Sequence, residues 1–472
     1  MTAGYNIFRF HDRHTRMLPC LPALVCSLLL VAYSGWGNSQ DISHGNLRLA
    51  TFDIDATPPA GSILAYDTMK NSWDMGLRAR GIVLLGAGDP IVLCSVDWIG
   101  IANGGQDAFR QALAAAAGTV SERVAVHTVH QHDAPDCDFT AEKILVDAGL
   151  KPQNFDGTFA REFILRLGET VKKSLVSTYP VTRIGTGEAR VYEVASNRRI
   201  LGADGKVRDT RYTTCQDSAL RAEPEGLIDP MVSLVSFWND DIPLAVLSYY
   251  ATHPQSYYRT GIANPDFPGI ARFLRQLEVP DALHVHFTGA GGNLGAGKFN
   301  DGSHINRGIL ARRLADGMKR AWESTTTRPV SARDVAWVTD SVSLPPSDYL
   351  KELRPEQIKK DTVLLRKSAG QLAYLQRWQE GRHVHVTCLK LGNARILNLP
   401  GEAFVEFQLA AKAERPDLFV AVAAYGDYGP WYICPAKAYE QGGYEAGPAS
   451  NVSPRAERGL MSAIKRVMRE KP

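Results

Sequence analysis

Three histidines and three aspartates are concentrated in one short stretch, VHTVHQHDAPDCDF, at residues 126–139. His130 and His132 are two positions apart behind an apolar run, so both rings would face the same side of an extended segment. Nitrogen and oxygen donors without thiolates are typical of a catalytic zinc site, in which water takes the open position. The stretch therefore predicts a metal centre, or else polar residues that merely end a strand.

Other polar groups also follow apolar runs of strand length. His253 ends PLAVLSYYATH, GAGGNLGAGK follows ALHVHFT, Glu402 follows ARILNLPG, and Asp427 and Tyr428 follow LFVAVAAYG. Because open α/β sheets bind ligands beyond the carboxyl ends of their strands, we expect these groups to converge. Taken alone, Glu402 could instead begin a helix, where the macrodipole favours a carboxylate, and Tyr428 could be a core aromatic.

Strand-like runs alternate with amphipathic helices, which predicts an α/β fold. RGIVLLGAGDPIVLCSVDW predicts a hairpin, and QDAFRQALAAAAG predicts a helix that ends at Gly118. Residues 197–228 have too little periodicity for an element and predict a long surface loop. The sequence contains no internal repeat. Further helices are predicted at 268–278, 305–324, 355–381, 402–414 and 454–469.

The size and composition limit the possible functions. A chain of 472 residues and 51.7 kDa exceeds what one core usually supports, which predicts two lobes or one large α/β unit. A hydrophobic content of 44%, a charged content of 22% and a net charge of +3 are ordinary for a globular protein. They provide no basic patch and argue against a nucleic-acid partner.

The first 38 residues predict a cleavable secretory signal, because arginines precede an apolar run from Leu18 to Tyr33 and small and polar residues follow it. An uncleaved membrane anchor is the rival, but the run is short and contains Pro19 and Pro22. We therefore expect a secreted or periplasmic protein with no stable membrane span. The five cysteines that remain are widely spaced, and without a CxxC pair they suggest no thiolate zinc site: Cys94, Cys137, Cys215, Cys388 and Cys434.

Several segments resemble the neutral (non-lysosomal) ceramidases. TVHQHDAP is similar to their THTHSGP, LSYYATHPQS to WFAVHGTS, LPGEAF to PGEFT, and YGDYGPWYICPAKAY to NEYxGYxTTPEEY. Segments around Asp53, Asp97, Asn197 and Asp229 match in the same order, so the resemblance spans most of the chain after the signal. It implies mixed β-sheets flanked by helices, with the metal site at the C-terminal ends of strands.

The resemblance also implies roles for individual residues. His132 would be a proton donor or acceptor near the reacting carbonyl, and Arg198 would face the polar head of the substrate or a developing oxyanion. The cofactor would be Zn²⁺, held by four ligands: His130, His253, Glu402 and Tyr428.

The sequence departs from the family in two places. Where ceramidases have NxGDVSPN, this chain has NLGAGKFN, which puts Lys298 at the position of their serine. Lys298 could bind an acidic substrate group, stabilise an oxyanion or be a solvated loop lysine. The chain also stops soon after the tyrosine segment, so we expect residues 39–472 to correspond to the ceramidase catalytic domain alone, without the C-terminal immunoglobulin-like domain.

These observations predict a zinc-dependent hydrolase that cleaves an amide or ester bond of a small or lipid-like N-acyl compound. Zinc-activated water would replace the missing serine. The alternative is a catalytically silent relative that binds metal and a ligand. A carbohydrate or peptide binding module is a third possibility, and only the aromatic-rich stretch GDYGPWYICPAKAYEQGGY favours it.

Overall fold

The computed structural model describes residues 46–73, 75–352, 358 and 360–469. The secretory signal predicted at residues 1–38 lies outside this part of the chain. The described residues form a mixed α/β fold with three large sheets, which confirms the predicted fold class. Within the described residues, no helix combines the length and the apolar character needed to cross a membrane.

The first sheet has five strands. Ile91–Val96 pairs in parallel with Val124–Thr128, and the predicted hairpin joins it antiparallel to Arg78–Leu85. Arg48–Asp55 and Tyr179–Pro180 complete the sheet, both antiparallel to their neighbours. Phe109 and Phe163 belong to the apolar cluster on its outer face, which two helices cover: Asn103–Ala117 and Thr158–Ser174.

The second sheet repeats this arrangement. Met231–Asn239 and Ile242–Tyr250 form an antiparallel pair, and Leu283–Thr288 lies parallel to Ile242–Tyr250. Arg183–Arg190 and Thr326–Pro329 extend the other side of the sheet. Two helices pack on its outer face: Asp266–Glu278 and Ile305–Glu323.

The third sheet has four strands. Val335–Val342, Val384–Leu391 and Ala394–Asn398 are successively antiparallel, and Phe419–Ala423 lies parallel to Ala394–Asn398. Two helices again cover the outer face: Val405–Glu414 and Ala456–Met468.

Each large sheet thus contains the same unit, an antiparallel pair followed by a crossover helix and a parallel strand. The crossover helices are Asn103–Ala117, Asp266–Glu278 and Val405–Glu414. The inner faces of all three sheets share one apolar core, to which Leu93, Leu247 and Ile396 belong. The three units share a pattern of burial rather than a pattern of residue identities, so the sequence contains no recognisable internal repeat.

Local signals account for several boundaries. Gly118 ends the helix Asn103–Ala117 in the left-handed region, at φ 68°, as the sequence predicted. The helix predicted at 402–414 begins instead at Val405, because Glu402 lies in a two-residue strand that pairs with Tyr432–Ile433. Within the predicted helix at 355–381, the structure has a helix over Thr362–Gln379. The side chain of Asp361 caps its first turn.

The prediction of a long surface loop at 197–228 is wrong. This segment contains Arg199–Leu201, Val207–Thr210 and the helix Ser218–Ala222. Arg198 and Arg211 in this segment are buried. Arg198 pairs with Glu445, and backbone carbonyls, including that of Asn197, accept hydrogen bonds from the guanidinium of Arg211, which offsets the cost of burying these charges. The elements of this segment are too short to show a periodic pattern of apolar residues, and long-range contacts hold the segment in place.

The remaining elements are short. The helices are Phe139–Asp147, Asp348–Glu352 and Ala436–Gln441, with single 3₁₀ turns at Ser121–Arg123, Gln153–Phe155 and Ala332–Asp334. The two-residue strands are Asn71–Ser72, Gly100–Ile101, Asp136–Cys137, Ser196–Asn197, Ile262–Ala263, Leu294–Gly295, Glu402–Ala403 and Tyr432–Ile433.

Two glycines let neighbouring strand ends approach closely. A Cβ atom on Gly292 would collide with the carbonyl oxygen of Glu402, beyond the third sheet, and one on Gly291 would collide with the carbonyl of Thr252, at another strand end of the second sheet. These residues belong to the GAGGN run that follows Leu283–Thr288. The run therefore serves close backbone approach.

Candidate metal centre

His130 lies just beyond the strand Val124–Thr128 and has a left-handed backbone conformation, with φ 71°. A non-glycine residue in this region is strained and needs support from its surroundings. Its Nδ1–H donates to the carbonyl of Ile99 over 2.6 Å, and its ring stacks on Tyr425 at 4.4 Å between centroids. With the proton on Nδ1, the lone pair of Nε2 is free to bind a metal.

Three histidines meet at this point. His130 Nε2 lies 3.2 Å from His253 Nε2, and His132 Nε2 lies 3.0 Å from the same atom. One donor atom from each ring lies within 4.8 Å of the others, and all three rings are buried. His253 comes from the second sheet and the other two come from the first, so the cluster joins the ends of two sheets. A metal could fit between these nitrogens.

Glu402 and Tyr428, from the third sheet, adjoin the cluster. Glu402 Oε2 lies 3.4 Å from His130 Nε2 and 3.8 Å from His253 Nδ1. The hydroxyl of Tyr428 donates to Glu402 Oε1 over 2.7 Å, whereas buried Oε2 has no hydrogen-bond partner among the described residues. A buried carboxylate oxygen without a partner is costly, and a metal ion would satisfy it. This observation fits a cation beside the histidines.

Burial and charge set the ionisation of these groups. Burial, together with the positive charge of Arg198, holds the pKa of His132 and of His253 well below the ordinary value, so both rings stay neutral. Burial alone would raise the pKa of Glu402, but His130, Tyr428 and Arg198 outweigh it, and the pKa is lowered. A neutral His253 beside the ionised Glu402 offers the nitrogen and oxygen donors that zinc prefers.

His132 differs from His130 in its second hydrogen bond. The side-chain amide of Gln255 donates to His132 Nδ1 over 3.1 Å, which leaves the proton of the ring on Nε2. A protonated Nε2 can donate a proton, whereas a metal ligand needs the lone pair. The hydrogen bonds of the two rings therefore favour different roles for them.

Arg198 is buried beside the cluster and is held from several sides. Its Nε donates to Glu445 Oε1 over 2.9 Å, and its Nη2 donates to the carbonyl of Gly292. The guanidinium carbon lies 5.2 Å from the centroid of Tyr432 and 5.1 Å from that of Tyr444. The aromatic-rich C-terminal stretch thus packs around a buried cation.

The structure does not bring the ammonium group of Lys298 into the histidine cluster. Its Nζ donates to the carbonyls of Arg221 and Glu223 over 2.9 and 2.6 Å, at the end of the short helix Ser218–Ala222. These contacts satisfy the last carbonyls of a helix, a common role for lysine.

Other residues around the centre were not singled out from the sequence. Tyr66 stacks on His132 at 5.6 Å and 15°, and Tyr258 lies 5.3 Å from the same ring. Glu445 pairs with both Arg198 and Arg199. No signal in the sequence distinguishes these residues, because each acts through a partner far away in the chain. Gln255 alone had a local clue, since it lies two residues beyond His253.

No protein-family profile and no curated protein sequence matches this chain. Its fold, however, is similar to that of solved structures. The neutral ceramidase from Pseudomonas aeruginosa superimposes with a TM-score of 0.63 at 16% identity, over 90% of this chain and 74% of that one. A structure described as a ceramidase complexed with C2 superimposes with a TM-score of 0.63 at 15% identity, over 90% and 75% of the two chains. The chain therefore has the fold of the neutral ceramidases, and its strand ends gather a buried three-histidine cluster that could bind a metal.

Proposed function

We propose that this protein is a zinc-dependent hydrolase of the ceramidase-like class, acting on an amide or ester bond of a lipid-like N-acyl compound. The observation that carries the proposal is the buried Glu402 Oε2, which lies beside nitrogens of His130 and His253 and has no hydrogen-bond partner within the described part of the chain. The ceramidase-like fold supports the reaction class, and the signal predicted at residues 1–38 would direct the enzyme out of the cytoplasm.

In this proposal the residues would divide the work as follows. His130, His253 and Glu402 would hold zinc, with Tyr428 as the fourth ligand or as the donor that orients Glu402. Zinc, when bound, would supply a Lewis acid that polarises the carbonyl and lowers the pKa of water. His132, with its proton on Nε2, would donate that proton to the departing nitrogen.

Arg198 and Lys298 would play unequal parts. Arg198 carries a buried positive charge next to the histidines and would stabilise the oxygen on which negative charge develops. By the sequence resemblance Lys298 would take the position of the ceramidase serine, but its ammonium binds carbonyls of the neighbouring helix end. We therefore assign Lys298 a structural role and propose that water attacks the substrate directly, without a covalent intermediate.

The alternative is a catalytically silent relative that keeps the metal and binds a ligand. The predicted replacement of the family serine by Lys298 favours it. Zinc content does not separate the two functions, because both would hold zinc. Turnover does, so the decisive measurement is hydrolysis of a panel of N-acyl amides and esters, with and without a chelator.

We expect hydrolysis that a chelator abolishes and added zinc restores, with about one zinc per chain. His130→Ala and His253→Ala should each lose most of the zinc, because removing one of few ligands opens the coordination shell. The control is His304→Ala, which replaces an exposed histidine at the start of Ile305–Glu323 and should keep the zinc. Zinc retained in both ligand variants would contradict the site. Absence of turnover in a zinc-loaded protein would favour the silent alternative.

A further inference from the structure

An exposed arginine lies near the outer side of the centre. Arg259 follows Tyr258, and its guanidinium carbon lies 5.2 Å from the ring centroid of Tyr66 and 5.5 Å from that of Tyr258. Both rings also neighbour His132. The two tyrosines therefore connect a surface cation to the ring that we propose to move the proton.

The backbone at this position is held in an uncommon conformation. Arg259 has φ 64°, in the left-handed region that a long side chain rarely adopts. The buried carboxylate of Asp133 accepts hydrogen bonds from the backbone N–H of Arg259 over 2.8 Å and from the hydroxyl of Thr260 over 2.7 Å. Asp133 directly follows His132. The hydrogen bonds of Asp133 thus hold the strained backbone of Arg259 next to the histidine segment. Strained conformations that the surroundings hold in this way are typical of functional sites.

The guanidinium of Arg259 has no acidic partner among the described residues. Its contacts there are the faces of Tyr66 and Tyr258, which orient a cation without neutralising it. Arg307 provides a contrast, because it is buried, lies 3.6 Å from the ring centroid of Tyr257, and donates to Ser256 and to the carbonyl of Tyr257. Arg307 is a structural arginine, whereas the guanidinium N–H groups of Arg259 are accessible to a ligand in the site.

We propose that Arg259 binds an anionic group of the substrate, so that the preferred N-acyl compounds carry a carboxylate, sulfate or phosphate on the head group beside the scissile bond. This inference rests on the proposed hydrolase function. The planar guanidinium offers paired donors that match such anions, and the two tyrosine rings hold it in place. A neutral head group would leave this cation without a partner.

The test uses two compounds of the same shape, N-dodecanoyl-glycine with an anionic carboxylate and N-dodecanoyl-glycinamide with a neutral carboxamide in its place. The wild-type enzyme should prefer the carboxylate. Arg259→Gln should raise KM for the carboxylate by about tenfold or more, because a charge-assisted hydrogen bond is lost, and should change the amide by less than about twofold. Arg328→Gln, in the exposed edge strand Thr326–Pro329, is the control and should change neither. An equal effect on both compounds, or none, would overturn the assignment.

A binding measurement separates this inference from the proposed function. Calorimetric titration of both compounds into the full-length His132→Ala protein, with and without Arg259→Gln, measures charge preference without turnover. Preference for the carboxylate that depends on Arg259 in this binding measurement, together with no hydrolysis of either compound by the wild-type protein, would overturn the hydrolase and keep the anion site. Hydrolysis of both compounds without charge preference would keep the hydrolase and overturn the anion site. A phosphate or sulfate analogue that binds where the carboxylate does not would assign the site to those anions.

Discussion

At the scale of single residues, the roles that we propose for His130 and His132 differ because of one hydrogen bond in each ring. The carbonyl of Ile99 accepts from His130 Nδ1, which frees Nε2 for a metal, whereas Gln255 donates to His132 Nδ1. The same residue type, two positions apart, thus acquires two different tautomers. The family resemblance implied this assignment, which stays a prediction and agrees with the two hydrogen bonds.

His132→Ala should therefore keep its zinc and lose about 10²-fold or more in kcat, the size expected when a general acid is removed. Gln255→Leu should also lower kcat at constant zinc content, because the ring can then adopt the other tautomer. Zinc analysis and steady-state kinetics on the same preparations check both expectations. If His132→Ala instead releases the metal, then His132 is a ligand and the centre is a three-histidine site.

At the scale of elements, the helix Phe139–Asp147 begins with a buried cap. The Asp138 carboxylate accepts from the backbone N–H groups of Thr140 and Ala141 at 3.0 Å, and from the side chain of Asn103 at 2.7 Å. Burial, opposed by these hydrogen bonds and reinforced by Asp136 and Asp427, raises the pKa of Asp138 to about 8. The folded protein thus keeps a proton on this cap that the unfolded chain releases.

Because the folded pKa of Asp138 lies above its ordinary value of 3.8, its contribution to stability is full below pH 3.8 and is lost as the pH rises through about 8. The free energy of unfolding should therefore fall between these pH values, as measured by urea denaturation. Asp138→Asn keeps the capping oxygen and should flatten this slope.

Asp156→Asn is the matched control, because Asp156 accepts from Thr158 at the start of Thr158–Ser174 and its pKa is lowered. Its contribution is complete above pH 3.8, so this variant should leave the slope unchanged. A slope that persists in Asp138→Asn would show that another group carries it.

At the scale of the whole molecule, one buried carboxylate joins segments that are far apart in the chain. Glu445 is fully buried and pairs with Arg198 at 2.9 Å and with Arg199 at 3.0 Å, about half the chain away. It offsets two buried positive charges and holds Arg198 beside the centre. We regard Glu445 as a positioning residue.

Glu445→Gln should destabilise the fold by about 3–5 kcal/mol, because it leaves two buried guanidinium groups without an opposite charge. Denaturation in urea measures this loss, and the exposed Glu440→Gln variant is the control, with an expected change below about 0.5 kcal/mol. A Glu445→Gln protein as stable as the wild type would mean that the arginines find other partners.

The sequence by itself determined the α/β class, the hairpin and most of the long helices. It also determined which strand ends carry His130, His253, Glu402 and Tyr428. These features follow from the spacing of apolar residues and the positions of glycine and proline, which are local properties of the chain. Only the tertiary structure decided that these ends meet, that Gly291 and Gly292 allow the approach, and that three equivalent units surround one core. It also decided the tautomers, the partner of Arg198 and the order within 197–228. These features depend on contacts between residues far apart in the chain, and no short window of sequence encodes such distances.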